Sequence, residues 1–184
     1  EERGAEIAEE LTGSCLMGTG QFCTNPGLVV TVAGETTNQF IDDLAARFSQ
    51  APVGTLLSEG VQTSLGQSLA TLLDAGGELL VGNSEGGGNG YSFANTLVQI
   101  SAEQFIADPE TMQTEAFGNA SLLVVADDID QVCSLLEELE GNLTGCVYSH
   151  TGGQDDPDYD RVAPRLRKRV GRLLNDKMPT GVAV

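Results

Sequence analysis

One cysteine of the chain differs from the other three in its surroundings. Cys23 lies in the segment GTGQFCTNPGLVV, residues 18–30, among small and turn-forming residues and directly before a short apolar run. A cysteine thiolate is a strong nucleophile, so a thiol presented on such a loop can attack a substrate covalently. The glycines at positions 18, 20 and 27 favour a bent backbone and close approach of a ligand. These residues alone leave two interpretations of Cys23 open, a catalytic nucleophile and a buried packing residue.

The other three cysteines are predicted to be packing residues. Cys15 falls on the apolar face of a predicted helix, Cys133 lies inside a helix, and Cys146 lies inside a strand. The cysteines form no CxxC pair and the chain has one histidine, so we expect neither a disulfide scaffold nor a metal site. A reducing, cytoplasmic compartment is the simplest expectation.

The charge of the chain limits its partners. The formal net charge of −18 predicts repulsion from nucleic acid and from anionic membranes, so we expect neither as a partner. Basic residues concentrate in the run RVAPRLRKRVGR, residues 161–172. That run indicates either an anion site or a solvated helix face beside acidic neighbours, and we favour the helix face.

Hydrophobic periodicity predicts helices that alternate with short strands. The predicted helices are residues 2–17, 35–49, 54–74, a helix capped by Asp127 or Asp128 that runs through Glu140, and 159–170. The third helix is expected to bury Leu57, Val61, Leu65, Leu69 and Leu72. The predicted strands are residues 27–33, 78–81, 121–126, 144–149 and 172–175, with a further extended stretch at 91–100. This order indicates a single α/β domain with an open, mostly parallel sheet flanked by helices.

A glycine-rich run, GNSEGGGNG at residues 82–90, follows the second strand. Glycines after a strand can bind phosphate, but that fingerprint requires a helix next, with its N-terminus aimed at the phosphate. An extended stretch follows here instead, so we interpret the run as a flexible connection.

Two separated motifs resemble the aldehyde dehydrogenase family. GQFCTNPG, residues 20–27, resembles the nucleophile segment of that family, and Glu115-Ala-Phe-Gly118 resembles its Glu-x-Phe-Gly motif, in the expected order. The version around Cys23 is most similar to the branch that acts on α-ketoglutaric semialdehyde (2,5-dioxovalerate). RLLN at residues 172–175 and MPTGV at residues 178–182 also resemble that branch, so the resemblance covers essentially the whole chain.

The resemblance implies an NAD- or NADP-dependent oxidation of an aldehyde to its acid. Cys23 would form a thiohemiacetal and then a thioester, and its backbone N–H would donate to the oxyanion. By the same resemblance, Glu115 would bind the ribose hydroxyls of the cofactor and Phe117 would pack near its nicotinamide ring. Phe22 and Thr24, which flank the nucleophile, are the candidate substrate-binding residues. A homo-oligomeric parent enzyme is also implied.

The sequence departs from the family pattern in two ways. Asn119 follows the second motif where the family usually has proline, and we expect this to alter loop stiffness more than chemistry. In the family, the general-base glutamate, an oxyanion-binding amide and the dinucleotide-binding domain precede the cysteine by more residues than this sequence contains. We therefore expect residues 1–184 to be a nucleophile-bearing catalytic domain truncated at both ends, inactive alone and unable to bind the whole cofactor.

Two other functions remain open from the residues. A cysteine hydrolase would pair Cys23 with His150, which requires the imidazole within hydrogen-bond reach of the sulfur. Alternatively, the domain keeps the fold but serves assembly or binding without catalysis.

Overall fold

The structure is a computed structural model, and it describes residues 2–181. Val182, the last residue of the MPTGV motif, lies outside the described residues. The helices are α1 (Gly4–Leu16), α2 (Glu35–Gln50), α3 (Glu59–Asp74), α4 (Ala102–Ala107), α5 (Pro109–Met112), α6 (Ile129–Glu138) and α7 (Asp156–Leu166). The strands are β1 (Leu28–Val32), β2 (Glu78–Val81), β3 (Thr96–Ser101), β4 (Ala120–Ala126), β5 (Asn142–Val147) and β6 (Val170–Asn175).

The larger sheet has the strand order β1-β4-β3-β2. β1 and β3 run parallel to β4 on either side of it, whereas β2 pairs antiparallel with β3. Helices cover both faces, and the alternation of side chains along a strand separates their contacts. Val98 of β3 packs with α3, α4 and α6 on one face, while the adjacent Leu97 packs with α1 and α2 on the other. The predicted α/β fold with a mostly parallel sheet is confirmed.

A second sheet contains only β5 and β6, which pair in parallel with Asn142 opposite Val170. The sequence predicts both strands but not their separation from the larger sheet, because pairing partners are set by long-range contacts. α7 connects the two strands, as a parallel pair requires a crossover connection.

The predicted bounds of two helices were wrong. The third helix begins at Glu59 rather than at residue 54, since the Ser58 hydroxyl accepts a hydrogen bond from Val61 N at 3.3 Å and caps it. Leu57 precedes this helix and is 84% exposed, so its predicted burial was also wrong. The last helix spans residues 156–166 rather than 159–170, with Pro157 in its first turn, where proline favours a helix start.

The basic run lies beside acidic groups, as expected. Arg161 pairs with Asp130, and Arg165 Nε lies 3.5 Å from a carboxylate oxygen of Glu137. These contacts join α7 to α6.

The glycine-rich run at residues 82–90 leads into a strand rather than a helix, as expected, since it connects the antiparallel strands β2 and β3. No helix in the part of the chain that the structure describes is long and apolar enough to cross a membrane.

The N-terminus of α6 provides a matched test of helix capping. The carboxylate of Asp128 accepts a hydrogen bond from Gln131 N at 2.9 Å, which selects Asp128 over Asp127 as the cap. We expect Asp128→Ala to lower the free energy of unfolding by about 1 kcal/mol. Asp127→Ala, the control, should change it by less than about 0.5 kcal/mol. Urea unfolding of both variants measures the difference, and equal losses would contradict the assignment.

Candidate active site

A tight turn carries the chain from α1 to the candidate nucleophile. Residues 18, 19 and 20 adopt the left-handed conformation in succession, with φ of 56°, 58° and 69°. Cys23 follows in a further turn and is exposed, so the structure presents its thiol rather than burying it. The ring of Phe22 is 40% exposed and packs over Gly18, where a Cβ atom would lie 2.6 Å from the ring.

Hydrogen bonds attach the backbone around Cys23 to β4 and to α1. Ser121 Oγ, at the start of β4, donates a hydrogen bond to the Pro26 carbonyl at 3.1 Å. With its amide nitrogen facing α1, Asn25 donates to the carbonyl oxygens of Cys15 and Ser14 at 3.0 and 3.2 Å. Residues 25 and 26 of the loop are therefore fixed by β4 and α1, while the thiol of Cys23 stays exposed.

Thr24 points into the protein. It is 4% exposed, and its hydroxyl oxygen accepts a hydrogen bond from Gly181 N at 3.3 Å. In this arrangement Thr24 joins the loop of Cys23 to Gly181 of the MPTGV motif. The contact of Thr24 with substrate stays a prediction.

Gln21 joins the same turn to the segment before α3. Its side-chain oxygen accepts from Leu57 N at 2.7 Å, and its nitrogen donates to the carbonyl oxygens of Gly18 and Thr55 at 3.0 and 3.2 Å. These bonds explain why Leu57 is held outside the helix. Local sequence patterns do not predict these contacts, because two of the three partners of Gln21, Thr55 and Leu57, lie more than thirty residues away in the chain.

The two family-like motifs meet at a pair of glycines. A Cβ atom on Gly20 would lie 1.9 Å from the Gly118 carbonyl oxygen, so the two backbones are in direct contact. Gly118 itself has a φ of 147°, and a Cβ there would lie 2.8 Å from the Leu65 side chain. Only glycine fits both positions without movement of the backbone.

Both predicted cofactor-binding residues lie on the turn that ends at Gly118. Glu115 is exposed, and its backbone carbonyl accepts from Ser68 Oγ at 2.9 Å. Phe117 is 37% exposed. An exposed carboxylate and a partly exposed ring thus lie on a turn that contacts the turn before Cys23.

The sequence-based expectation for Asn119 concerned loop stiffness alone, whereas the structure shows that its side chain is buried and hydrogen bonded. It is 0% exposed, and its Nδ2 donates to the Phe93 carbonyl at 2.7 Å and to Asn95 Oδ1 at 2.8 Å. A polar residue directly before an apolar strand was the available sign of a buried polar contact, but its partners could not be identified from the sequence.

His150 is bonded elsewhere. Its Nε2 lies 3.2 Å from a Glu2 carboxylate oxygen, and its Nδ1 accepts from Gly152 N at 2.9 Å. Both ring nitrogens therefore have partners other than the Cys23 sulfur, which argues against the hydrolase alternative. Among residues 2–181, no group of three or more His, Cys, Asp and Glu side chains could hold a metal ion.

A comparison with known families agrees with this geometry. The model of the aldehyde dehydrogenase family matches residues 5–171. The chain belongs to the aldehyde dehydrogenase family.

Individual relatives within this family cover nearly the whole chain. It is 35% identical over 182 residues to alpha-ketoglutaric semialdehyde dehydrogenase 2 of Azospirillum brasilense, covering 99% of this chain and 34% of that protein. It is 28% identical over 182 residues to alpha-ketoglutaric semialdehyde dehydrogenase of Acinetobacter baylyi, with the same coverage of 99% and 34%. The chain thus spans about a third of the length of the curated relatives it matches.

A solved structure shows the same fold. A variant of Thermus thermophilus 1-pyrroline-5-carboxylate dehydrogenase superposes with a TM-score of 0.82 at 19% identity, covering 98% of this chain and 34% of that one. At this identity the likeness concerns the fold. It confirms the aldehyde dehydrogenase-like architecture expected from the two motifs.

The cysteines of this aldehyde dehydrogenase domain should differ widely in reactivity. Burial raises the pKa of Cys15 to about 12, although Ser121 donates a hydrogen bond to its sulfur, and burial raises the pKa of Cys146 to about 11. Since alkylation requires the thiolate, we expect both to react with iodoacetamide on the order of a hundredfold more slowly than Cys23 at about pH 8. Peptide mass spectrometry after timed labelling measures each rate. A Cys23 rate equal to that of Cys15 would contradict the exposed placement.

The contact between Gly20 and Gly118 predicts that a methyl group at position 20 destabilises the fold. Gly20→Ala should lower the free energy of unfolding by at least about 2 kcal/mol, because the left-handed conformation and the clash with Gly118 both disfavour alanine. Gly27→Ala, where a Cβ would meet nothing within 4 Å, is the control and should change it by less than about 0.5 kcal/mol. Chemical denaturation distinguishes them, and equal stabilities would show that the two turns do not touch.

Proposed function

We propose that the chain is the nucleophile-bearing catalytic part of a dehydrogenase that oxidises an aldehyde to a carboxylic acid with NAD or NADP. The observation that carries the proposal is the exposed thiol of Cys23 on a fixed turn in backbone contact with the turn of Glu115 and Phe117. Membership of the aldehyde dehydrogenase family supports it. Because the chain spans about a third of its relatives, this activity belongs to a larger enzyme in the proposal.

The residues of the second motif are suited to a nicotinamide cofactor. The Glu115 carboxylate is exposed and can accept hydrogen bonds from ribose hydroxyls, and Phe117 offers a partly exposed ring for packing beside the nicotinamide. When bound, the nicotinamide accepts the hydride that leaves the substrate carbon. Related structures are described with bound NAD and with bound NADP, so the proposal includes both nucleotides.

The chemistry of the chain itself centres on Cys23. Its thiolate attacks the aldehyde carbon and forms a C–S bond, while the backbone N–H of Cys23 donates to the oxygen that gains negative charge. After hydride loss the acyl group remains on sulfur as a thioester. Water hydrolyses this thioester, which releases the acid and restores the thiol.

The substrate in this proposal is a semialdehyde, of which α-ketoglutaric semialdehyde is the first candidate. The names of the Azospirillum and Acinetobacter relatives support it. Phe22 is the proposed substrate contact, because it directly precedes Cys23 and its ring is 40% exposed. The homo-oligomeric, cytoplasmic parent enzyme remains part of the proposal, and the four free cysteines are compatible with a reducing compartment.

Removal of the nucleophile tests the function. The assay uses a chimera in which this chain replaces the matching third of the Azospirillum brasilense enzyme, with α-ketoglutaric semialdehyde and either nucleotide. Cys23→Ala should lower kcat by at least about 1,000-fold, as expected for loss of a covalent nucleophile. Cys133→Ala, on α6, should leave kcat within about twofold.

The isolated chain provides the complementary measurement. We expect Cys23 to be alkylated in it while NAD(P)H formation stays at the level of the buffer blank. Robust NAD(P)H formation by the isolated chain would refute its dependence on a further domain. Full activity of the Cys23→Ala chimera would refute the proposed nucleophile.

A further inference from the structure

We propose that Asn119 is a positioning residue. It holds residues 115–118, the motif turn, against residues 18–20, the nucleophile turn that precedes Cys23. The inference rests on the proposed function, since it assigns a role to the contact between those two turns. Asn119 directly follows Gly118, and it is the residue at which this chain departs from the proline usual in the family.

The amide of Asn119 is a buried double donor. Nδ2 donates to the Phe93 carbonyl at 2.7 Å and to Asn95 Oδ1 at 2.8 Å, and the side chain is 0% exposed. The backbone carbonyl of Asn119 also accepts from Thr96 N at 2.9 Å, next to the pairing of Thr96 with Ala120. Side chain and backbone of one residue therefore attach the end of the motif turn to the segment that leads into β3.

Asn95 extends the attachment to a helix. Its Nδ2 donates to the carbonyl oxygens of Phe48 and Ala51 at 3.2 and 3.1 Å, at the C-terminal end of α2. The last carbonyl groups of a helix have no partner within it, and Asn95 satisfies that of Phe48 as well as the carbonyl of Ala51, which directly follows α2. The two asparagines thus connect the motif turn to α2, a helix that packs against α1.

The geometry requires this attachment to be precise. The Gly118 carbonyl oxygen lies 1.9 Å from the position that a Cβ of Gly20 would take, so the motif turn cannot move toward the nucleophile turn without displacing it. The Oδ1 atom of Asn119 is also buried and has no hydrogen-bond partner among residues 2–181. A proline here would remove that unpaired oxygen, but it would leave the Phe93 carbonyl and Asn95 Oδ1 without their donor.

Residue-resolved amide exchange tests the role without nucleotide or aldehyde. Asn119→Asp keeps the shape of the side chain and replaces its donor with an acceptor. We expect exchange at the amides of Gln21, Leu57 and Thr96, each hydrogen bonded at this contact, to become about tenfold faster. Exchange at Val132 N, which donates to the Asp128 carbonyl in α6, should stay within about twofold.

A matched control and a second variant complete the experiment. Asn38→Asp makes the same chemical change at an exposed position of α2 and should leave all four amides unchanged. If Asn119→Asp does not fold, Asn119→Ser, which keeps one hydroxyl donor, gives the same comparison with a smaller increase. Equal acceleration at Val132 would reveal general destabilisation, and unchanged exchange at Gln21 would show no coupling. Either result would overturn the positioning role while the proposed function, which the Cys23→Ala chimera tests, would stand.

Discussion

The contact between the backbones of Gly20 and Gly118 determines how the rest of the site is arranged. No side chain fits between the two turns, since a Cβ on Gly20 would lie 1.9 Å from the opposite carbonyl oxygen. Each turn must therefore keep its own conformation for the other to be accommodated. Left-handed residues on one side and the Leu65 side chain on the other restrict that conformation further. This contact sets the turn before the exposed thiol directly against the turn that carries the exposed carboxylate of Glu115.

Polar contacts from several directions support the two turns. Gln21 joins the first turn to the segment before α3, Asn25 joins the loop to α1, and Asn119 joins the second turn to the start of β3. All three are amides, and the nitrogen of each donates two hydrogen bonds, so each side chain bridges two acceptors that point in different directions. Such bridges suit irregular segments, whose backbone groups lack the regular partners of a helix or a strand.

Local sequence patterns predict much of the fold and only part of the site. Short β-branched runs identify β1 and β4, and the turn residues around Cys23 predict its loop. The exposure of Leu57 was not predictable from periodicity, because its apolar spacing continues that of α3 while Gln21 binds its amide. The contacts of Asn119 and the separation of β5 from the larger sheet depend on partners far along the chain. Roles for Glu115 and Phe117 came from the family resemblance, since an exposed carboxylate and ring have no local signal.

The topology places the candidate site at an unusual edge of the sheet. Cys23 precedes β1 and Gly118 precedes β4, and these strands are parallel neighbours, so both motifs lie at the amino ends of their strands. Open α/β sheets more commonly bind ligands beyond the carboxyl ends, where helix N-termini stabilise negative charge. Here the helix that leads into the nucleophile loop is α1, and it presents its C-terminal end, which disfavours an anion nearby. α1 therefore contributes the position of the nucleophile loop, and in the proposed function the groups that stabilise negative charge, such as the backbone N–H of Cys23, lie outside this helix.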